Sequence, residues 1–412
     1  MPMTLVEKIL AAHADEDVTA GKIVWIGIDV RSARDFGGAN VVKNFKKYYP
    51  GGKVQDPAKT FFTFDCNVPA NTIPYANNQQ ICRMFAKDQG IKVYDVDAGI
   101  GSHVMIEEGL GYPGSTVVGT DSHLNIMGAV GAFGQGMGDQ DIAFVFKTGK
   151  TWFEVPGSMV VNIHGDLPKN CSAKDLTLFI TGKLGTKTAL GKAIEFRGPA
   201  IDKLDLAGRI TLASMATEMG AIIGLIVPGK EVLKHFGQKK AITPDKDAVY
   251  EKIIDLDISS LVPQIAKPPK PDAVVGVASL NGREIHSVFI GSCTNGTYED
   301  ILAVAKIMKG RNVKPGIVAT LVPATMKAWK RLLKEGHIST LIESGFVVSN
   351  PGCGGCASGQ IGMTGEGQVH ISTSNRNFAG KQGAGDTYLA SPETAAASAI
   401  LGRIATIDEV MK

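Results

Sequence analysis

Ser287-Val288-Phe289-Ile290-Gly291-Ser292-Cys293-Thr294-Asn295-Gly296 joins a short apolar run to a thiol set between glycines, and Tyr298 to Met308 continues with helix-compatible spacing. A strand that ends in a glycine loop and feeds a helix is the repeating unit of α/β folds. A thiol at the carboxyl end of such a strand stands where open sheets bind ligands, although a single buried cysteine is more often a packing residue. Lys22 to Ile28, Thr116 to Val118 and Gly345 to Val348 read as strands of the same kind, each followed by glycine or polar loop residues. The expected class is therefore α/β with mainly parallel sheets.

Sixty residues after Cys293, Asn350-Pro351-Gly352-Cys353-Gly354-Gly355-Cys356 follows a strand in the same way. Its Cys-Gly-Gly-Cys spacing admits a redox dithiol, half of a zinc site or two ligands of an iron-sulfur cluster. A redox dithiol sits at the helix start of a small thioredoxin-like unit and needs no third thiol. Structural zinc takes four ligands, usually as two such pairs, and the chain has no second pair. Three thiolates from two adjacent strand-end loops suit a cubane of four irons, which leaves one iron with open positions for substrate.

The 412 residues allow two to four domains, and 44% hydrophobic, 20% charged residues with a net charge of +3 describe a globular chain without the basic excess of a nucleic-acid binder. Glycine, 49 of 412, is abundant and clusters beside polar residues, as expected of tight loops close to a ligand. Six scattered cysteines (Cys66, Cys82, Cys171, Cys293, Cys353 and Cys356) do not form a disulfide framework, so a reducing, cytoplasmic setting is expected. The first residues read as an amphipathic helix rather than a signal peptide, and no apolar run reaches bilayer length. Breaks at Val155-Pro156-Gly157 and in the proline-rich Pro263 to Pro271 divide the chain into 1–156, 157–268 and 269–412.

Gly119-Thr120-Asp121-Ser122-His123 also follows a strand; three consecutive loop residues cannot converge as a hydrolytic triad, but a carboxylate beside an imidazole suits acid-base work as well as helix capping. The glycine run from Gly128 to Gly138 lacks dinucleotide-binding spacing and reads as close helix packing. Gly185 to Lys192 misses the phosphate-loop spacing. Ser372 to Lys381 gathers hydroxyls, amides, Arg376 and Lys381, a set matched to carboxylates as well as to an exposed basic turn.

Taken in order with Thr4 to Leu10 at the start and Ser374-Asn375-Arg376-Asn377-Phe378 near the end, these motifs resemble the aconitase superfamily, specifically the separate large subunits of isopropylmalate isomerase and homoaconitase. The resemblance spans nearly the whole chain. It implies three α/β/α domains around a 4Fe-4S cluster held by Cys293, Cys353 and Cys356, with the swivelling fourth domain supplied as a separate small subunit that carries the serine base. It also implies loss of water from a 2-hydroxy di- or tricarboxylic acid to a cis-alkene, with re-addition at the neighbouring carbon. No nucleic-acid or membrane partner is expected.

By position in the motifs, the resemblance assigns Asp65, His103, Asp121, His123 and Glu218 to catalysis. It assigns Asn40, Ser122, Asn375, Arg376 and Lys381 to the substrate. Departures crowd around the cluster. Asp65-Cys66 stands where an Asp-His pair is usual, His103 comes one place late in a Gly-Ile-x-His pattern, and Arg34-Asp35 replaces an early His-Asp or His-Glu. Asn40 stands for a glutamine, Ser214 for an asparagine and Lys381 for an arginine, an exchange that loses bidentate carboxylate geometry. The expected activity is a dehydratase of an isopropylmalate or homocitrate type, with a smaller alkylmalate such as dimethylmalate or citramalate as the alternative substrate and His103 as a rearranged acid. A catalytically degenerate cluster protein acting as scaffold or sensor is the alternative of another class.

Overall fold

The computed structural model describes residues 2–356 and 360–411. Among them, three β-sheets of four or more strands follow one another along the chain, each flanked by helices. The first is wholly parallel, in the order Lys92–Tyr94, Thr60–Thr63, Val30–Arg34, Thr116–Gly119, Phe133–Gly136. Thr60–Thr63 and Thr116–Gly119 are short and buried throughout, as strands covered on both faces must be. The second, also parallel, runs Ile223–Leu225, Ala193–Arg197, Ser158–His164, Lys252–Asp257.

The third sheet has seven strands, with Ser287–Gly291 bonded in parallel to Val369–Ser372 on one side and Val318–Val322 on the other. Phe346–Val348 forms one edge. The other edge is antiparallel and begins at Gln264–Ala266, so this sheet reaches back past residue 269, because Ile265 and Ala266 pair with Ala390 and Leu389.

Two readings of the sequence take a different form here. The run from Lys22 to Ile28 is not a strand of a parallel sheet. Ile23–Gly27 pairs antiparallel with Lys150–Glu154, burying Val24 and Ile26 and exposing Ile23 and Trp25, the two-residue alternation of a half-covered ribbon. The glycine run is a 3-10 turn, Leu124–Val130, followed by the edge strand Phe133–Gly136.

Two features join the first and third sheets. One apolar cluster contains Phe61, Ile100, Val104 and Leu124 together with Cys293, Ala324 and Cys353. A backbone bridge links Gly99 to Thr325. The carboxyl ends of both sets of parallel strands therefore open towards each other, and the loops that follow Arg34, Thr63, Gly119, Gly291, Val348 and Ser372 supply the site. Among the described residues no helix is long and apolar enough to cross a membrane.

Candidate active site

Cys293 is presented by a backbone that few residues tolerate. Gly291 has φ +146°, and a Cβ there would lie 2.4 Å from the carbonyl oxygen of Val322. Ser292, with φ 72°, is among the described residues the one non-glycine in the left-handed region, a conformation that concentrates at functional loops. Thr373 Oγ1 clamps this turn, accepting from Gly291 N at 2.9 Å and donating to Gly291 O at 3.0 Å. The Cys293 thiol donates to Asn375 Oδ1 at 3.2 Å. On the facing loop, Cys353 N donates to the carbonyl of Asp65 at 2.8 Å. Gly354, at φ +58°, leaves room for Phe289, whose ring a Cβ would meet at 2.8 Å.

Cys293, Cys353 and Cys356 line one cavity of about 470 Å³, together with Asp121, Ser122 and His123. Arg34, Cys66 and Lys381 complete its polar wall, and Phe36, Met363 and Phe378, all largely exposed, form an apolar mouth. Burial, reinforced by the neighbouring sulfurs and Asp121, pushes the Cys293 thiol well above the ordinary cysteine range, and burial also raises Cys356. Thiols held this way stay protonated until a metal displaces the proton.

Arg34 organises one side. Its Nε donates to Asp65 Oδ1 at 2.6 Å, Nη1 to Asp121 Oδ1 at 3.0 Å and Nη2 to Cys353 Sγ at 2.6 Å. Burial pushes the Asp65 carboxyl up to about 6, partly opposed by the guanidinium and by the N–H of Gly101, which donates to Oδ2 at 2.8 Å. At neutral pH it is ionised. Burial alone also raises Asp121, but Arg34 and then His123 outweigh it and hold the carboxylate below its usual range.

A second network closes the other side. Glu218 Oε1 faces His123 Nε2 at 3.1 Å and accepts from Arg376 Nε at 2.7 Å. Burial raises Glu218, but His123 and Arg376 reverse the shift. Its other oxygen, Oε2, is buried without a hydrogen-bond partner among the described residues. Lys174, fully buried on the helix Ala173–Leu184, donates from Nζ to the carbonyls of Thr373 and Ser374 at 2.9 Å each, immediately before Asn375 and Arg376.

The structure thus gathers Asp65, Asp121, Ser122, His123, Glu218, Asn375, Arg376 and Lys381 around the three thiols. It places two expected residues elsewhere. His103 lines a separate cavity with Glu107, His235 and Thr325, and neither of its ring nitrogens has a hydrogen-bond partner among the described residues. Burial pushes it down to about 4, so it is neutral at physiological pH. Asn40 lies outside the cavity lining, with Nδ2 bonded to Asp139 at an exposed position. Arg34 and Lys174 are the organising residues that sequence reasoning missed.

Soft sulfur donors on two rigid loops fit an iron-sulfur group, and the cations around them fit its negative charge. Arg34, Arg376 and Lys381 act on Cys356, and Lys174 on Cys293. The tight trio of Asp65, Cys66 and Cys353, whose ligand atoms lie within 4.8 Å of one another, suits a lone cation less well, because the Arg34 guanidinium already hydrogen-bonds to two of its three members.

A family model described as "Aconitase family (aconitate hydratase)" matches residues 7–402. The chain is 42% identical, over 98% of both chains, to the 3-isopropylmalate dehydratase large subunit 1 of Methanopyrus kandleri. It is 39% identical to the homoaconitase large subunit of Thermus thermophilus, over 100% of this chain and 98% of that one. Among solved structures, the holo-form of Thermococcus kodakaraensis aconitase X matches 90% of this chain and 89% of its own with a TM-score of 0.52. At 14% identity it speaks for the fold alone.

Proposed function

Because the chain belongs to the aconitase family, we propose that it is the cluster-binding large subunit of a two-subunit hydro-lyase that dehydrates a 2-hydroxy dicarboxylic acid to a cis-alkene and rehydrates it. One observation carries this reading. Cys293, Cys353 and Cys356, from two loops sixty residues apart, share a single cavity with His123, whose Nε2 faces Glu218 Oε1, and with Lys381, a cation without a carboxylate partner among the described residues. These three thiols would hold a 4Fe-4S cluster. When bound, it supplies a Lewis-acidic iron that polarises the carbon–oxygen bond to be broken.

The chain's own residues do the rest. Lys381, which has no carboxylate partner among the described residues, takes one substrate carboxylate. Arg376, held edge-on by Glu218, keeps its terminal nitrogens for the other. His123, oriented by Glu218, delivers the proton to the departing hydroxyl. Arg34 cannot do so, since a guanidinium does not give up its proton in this pH range, and Cys66 is too weak an acid. The separate small subunit supplies the base for the carbon-bound proton.

Phe36, Met363 and Phe378 at the mouth favour an alkyl substituent over a third carboxylate, so 3-isopropylmalate is the first substrate to test and dimethylmalate or citramalate the second. The decisive experiment is hydration of a panel of alkylmaleates, with cis-homoaconitate for comparison, by the chain reconstituted without oxygen and paired with its small subunit. Turnover of alkylmaleates is the expected result. A fully loaded complex that turns over none of them would replace this reading with that of a scaffold.

A further inference from the structure

The ribbon of Ile23–Gly27 and Lys150–Glu154 takes no part in the cavity, yet it carries two of the chain's three tryptophans, both turned outward. Trp25 and Trp152 stand directly opposite each other, 45% and 53% exposed, with Ile23 exposed on the same face. On the other face Val24, Ile26 and Thr151 are buried. Lys150 and Glu154, two residues to either side of Trp152, share its exposed face, and neither has an ion-pair partner among the described residues.

The backbone identifies the open edge of this ribbon. In an antiparallel pair, residues that exchange hydrogen bonds alternate with residues whose N–H and C=O point away from the partner strand. Val155 N donates to Lys22 O and Ile28 N to Gly149 O, each at 2.9 Å, so even-numbered residues of the first strand and odd-numbered residues of the second exchange the bonds. The outward groups of the first strand are covered, since Trp25 N donates to Glu16 Oε1 at 3.2 Å and Gly27 N to His13 O at 2.8 Å. On the second strand Lys150, Trp152 and Glu154 point outward. Thr148 Oγ1 donates to Lys150 O at 2.9 Å and accepts from its N at 3.4 Å, but the backbone groups of Trp152 and Glu154 have no partner among the described residues. An edge of this kind is a template for another strand.

We propose that this edge pairs with the same edge of a second copy of the chain, antiparallel about a two-fold axis through Trp152. Lys150-Thr151-Trp152-Phe153-Glu154 is complementary to its own reverse. In that register Trp152 meets Trp152 of the second copy, and Lys150 meets its Glu154 at both ends of the joined edge. These are the three positions whose backbone groups point outward, so one register matches hydrogen bonds, charges and aromatic rings together. A slip of one residue sets outward groups against inward ones, and a slip of two sets Lys150 against Trp152. Residues directly opposite share a face, so Trp25, Trp152 and their counterparts form one row across four strands. The small subunit is the other candidate for this edge, but on the reading above it must reach the cavity, whose lining includes no residue of either strand.

The test takes the full chain, alone and paired with its small subunit, and measures assembly by analytical ultracentrifugation over a range of concentrations and backbone protection by hydrogen exchange. A concentration-dependent dimer of this chain in both preparations, with exchange slowed at the amides of Trp152 and Glu154, is the expected result. Lys150→Glu and Glu154→Lys each place like charges opposite one another at both ends of the edge, and each should weaken dimerisation about tenfold or more. Both side chains are exposed, so the substitutions leave the fold intact. The double variant, Lys150→Glu with Glu154→Lys, restores the opposite charges and should dimerise like wild type. A chain that stays monomeric at every concentration overturns the proposal, as does a dimer indifferent to both charge reversals. Protection that appears only when the small subunit is added overturns it as well, by giving the edge to that partner. None of these outcomes bears on the cluster assignment, which is read from iron content and activity.

Discussion

His123 Nε2 lies 3.1 Å from Glu218 Oε1, across 95 residues, and that carboxylate also receives Arg376 Nε at 2.7 Å. One oxygen thus couples the proposed proton donor to the proposed substrate clamp. Glu218→Gln keeps the shape and removes the charge, leaving the buried His123 ring without its carboxylate partner and Arg376 without its ion pair. The expected loss is at least about a hundredfold in kcat, the scale of a disabled general acid, with iron content unchanged. Steady-state kinetics beside iron and sulfide analysis checks both halves.

Lys381 lines the cavity with its ammonium 6.0 Å from the centre of the Phe378 ring and no acidic partner among the described residues. A cation without an internal partner contributes mainly when an anion arrives. Lys381→Met should raise KM roughly tenfold to a hundredfold, the loss of a charge-assisted hydrogen bond of about 1.5–3 kcal/mol, and leave kcat within a few-fold. If kcat falls instead with KM unchanged, Lys381 acts on the reaction rather than on binding.

What the sequence made legible here is local. Cys293, Cys353 and the Asp121 loop follow strands directly, so alternating strand and loop chemistry located them. Arg34 was invisible as an organiser, because its partners Asp65, Asp121 and Cys353 lie 31, 87 and 319 residues away and no short-range pattern carries such distances. Lys174 is hidden in the same way, its acceptors being 199 and 200 residues distant. His103 shows the reverse problem. It sits in the helix Gly101–Glu107, where a one-residue offset rotates a side chain by about 100°. A histidine one place late therefore lines a neighbouring cavity, although the motif around it is intact.

The N-terminal helix Leu5–Ala11 is followed by a histidine with two acceptors. His13 Nδ1 faces the carbonyl of Ile9 and Nε2 faces Asp29 Oδ2, each at 2.8 Å. Burial lowers the His13 pKa, but the bond to Asp29 and the Ile9 carbonyl raise it above its ordinary value. Burial likewise raises Asp29, and His13 and Thr116 bring it below the usual range. The pair's contribution is complete between the ordinary aspartate and histidine values, fades as pH rises through the raised His13 pKa, and fades again as pH falls through the lowered Asp29 pKa. Urea unfolding of wild type and His13→Ala should differ by about 1 kcal/mol near pH 5 and by little at pH 9. An equal difference at both pH values would assign the effect to packing.

Lys174 sets two opposing terms against each other. Burial, only partly offset by Cys293 and Glu218, pushes its ammonium down to about 7, so the charge is costly to keep inside. Its Nζ nevertheless satisfies the carbonyls of Thr373 and Ser374, which would otherwise be buried without a donor. Lys174→Met preserves length and apolar volume and removes both terms, so near pH 7 the net stability change should stay within roughly 2 kcal/mol. The pH dependence separates them. Unfolded lysine keeps its proton to about pH 10.4, whereas the folded group releases it near 7. The unfolded state therefore binds more protons between these values, and wild type gains stability over the variant as pH rises, by up to about 1.4 kcal/mol per unit. Urea titrations of both chains from pH 7 to 9 measure this slope, and parallel curves would show that Lys174 remains charged in the fold. Because its acceptors directly precede Asn375 and Arg376, the same variant should also raise KM while leaving the iron content intact.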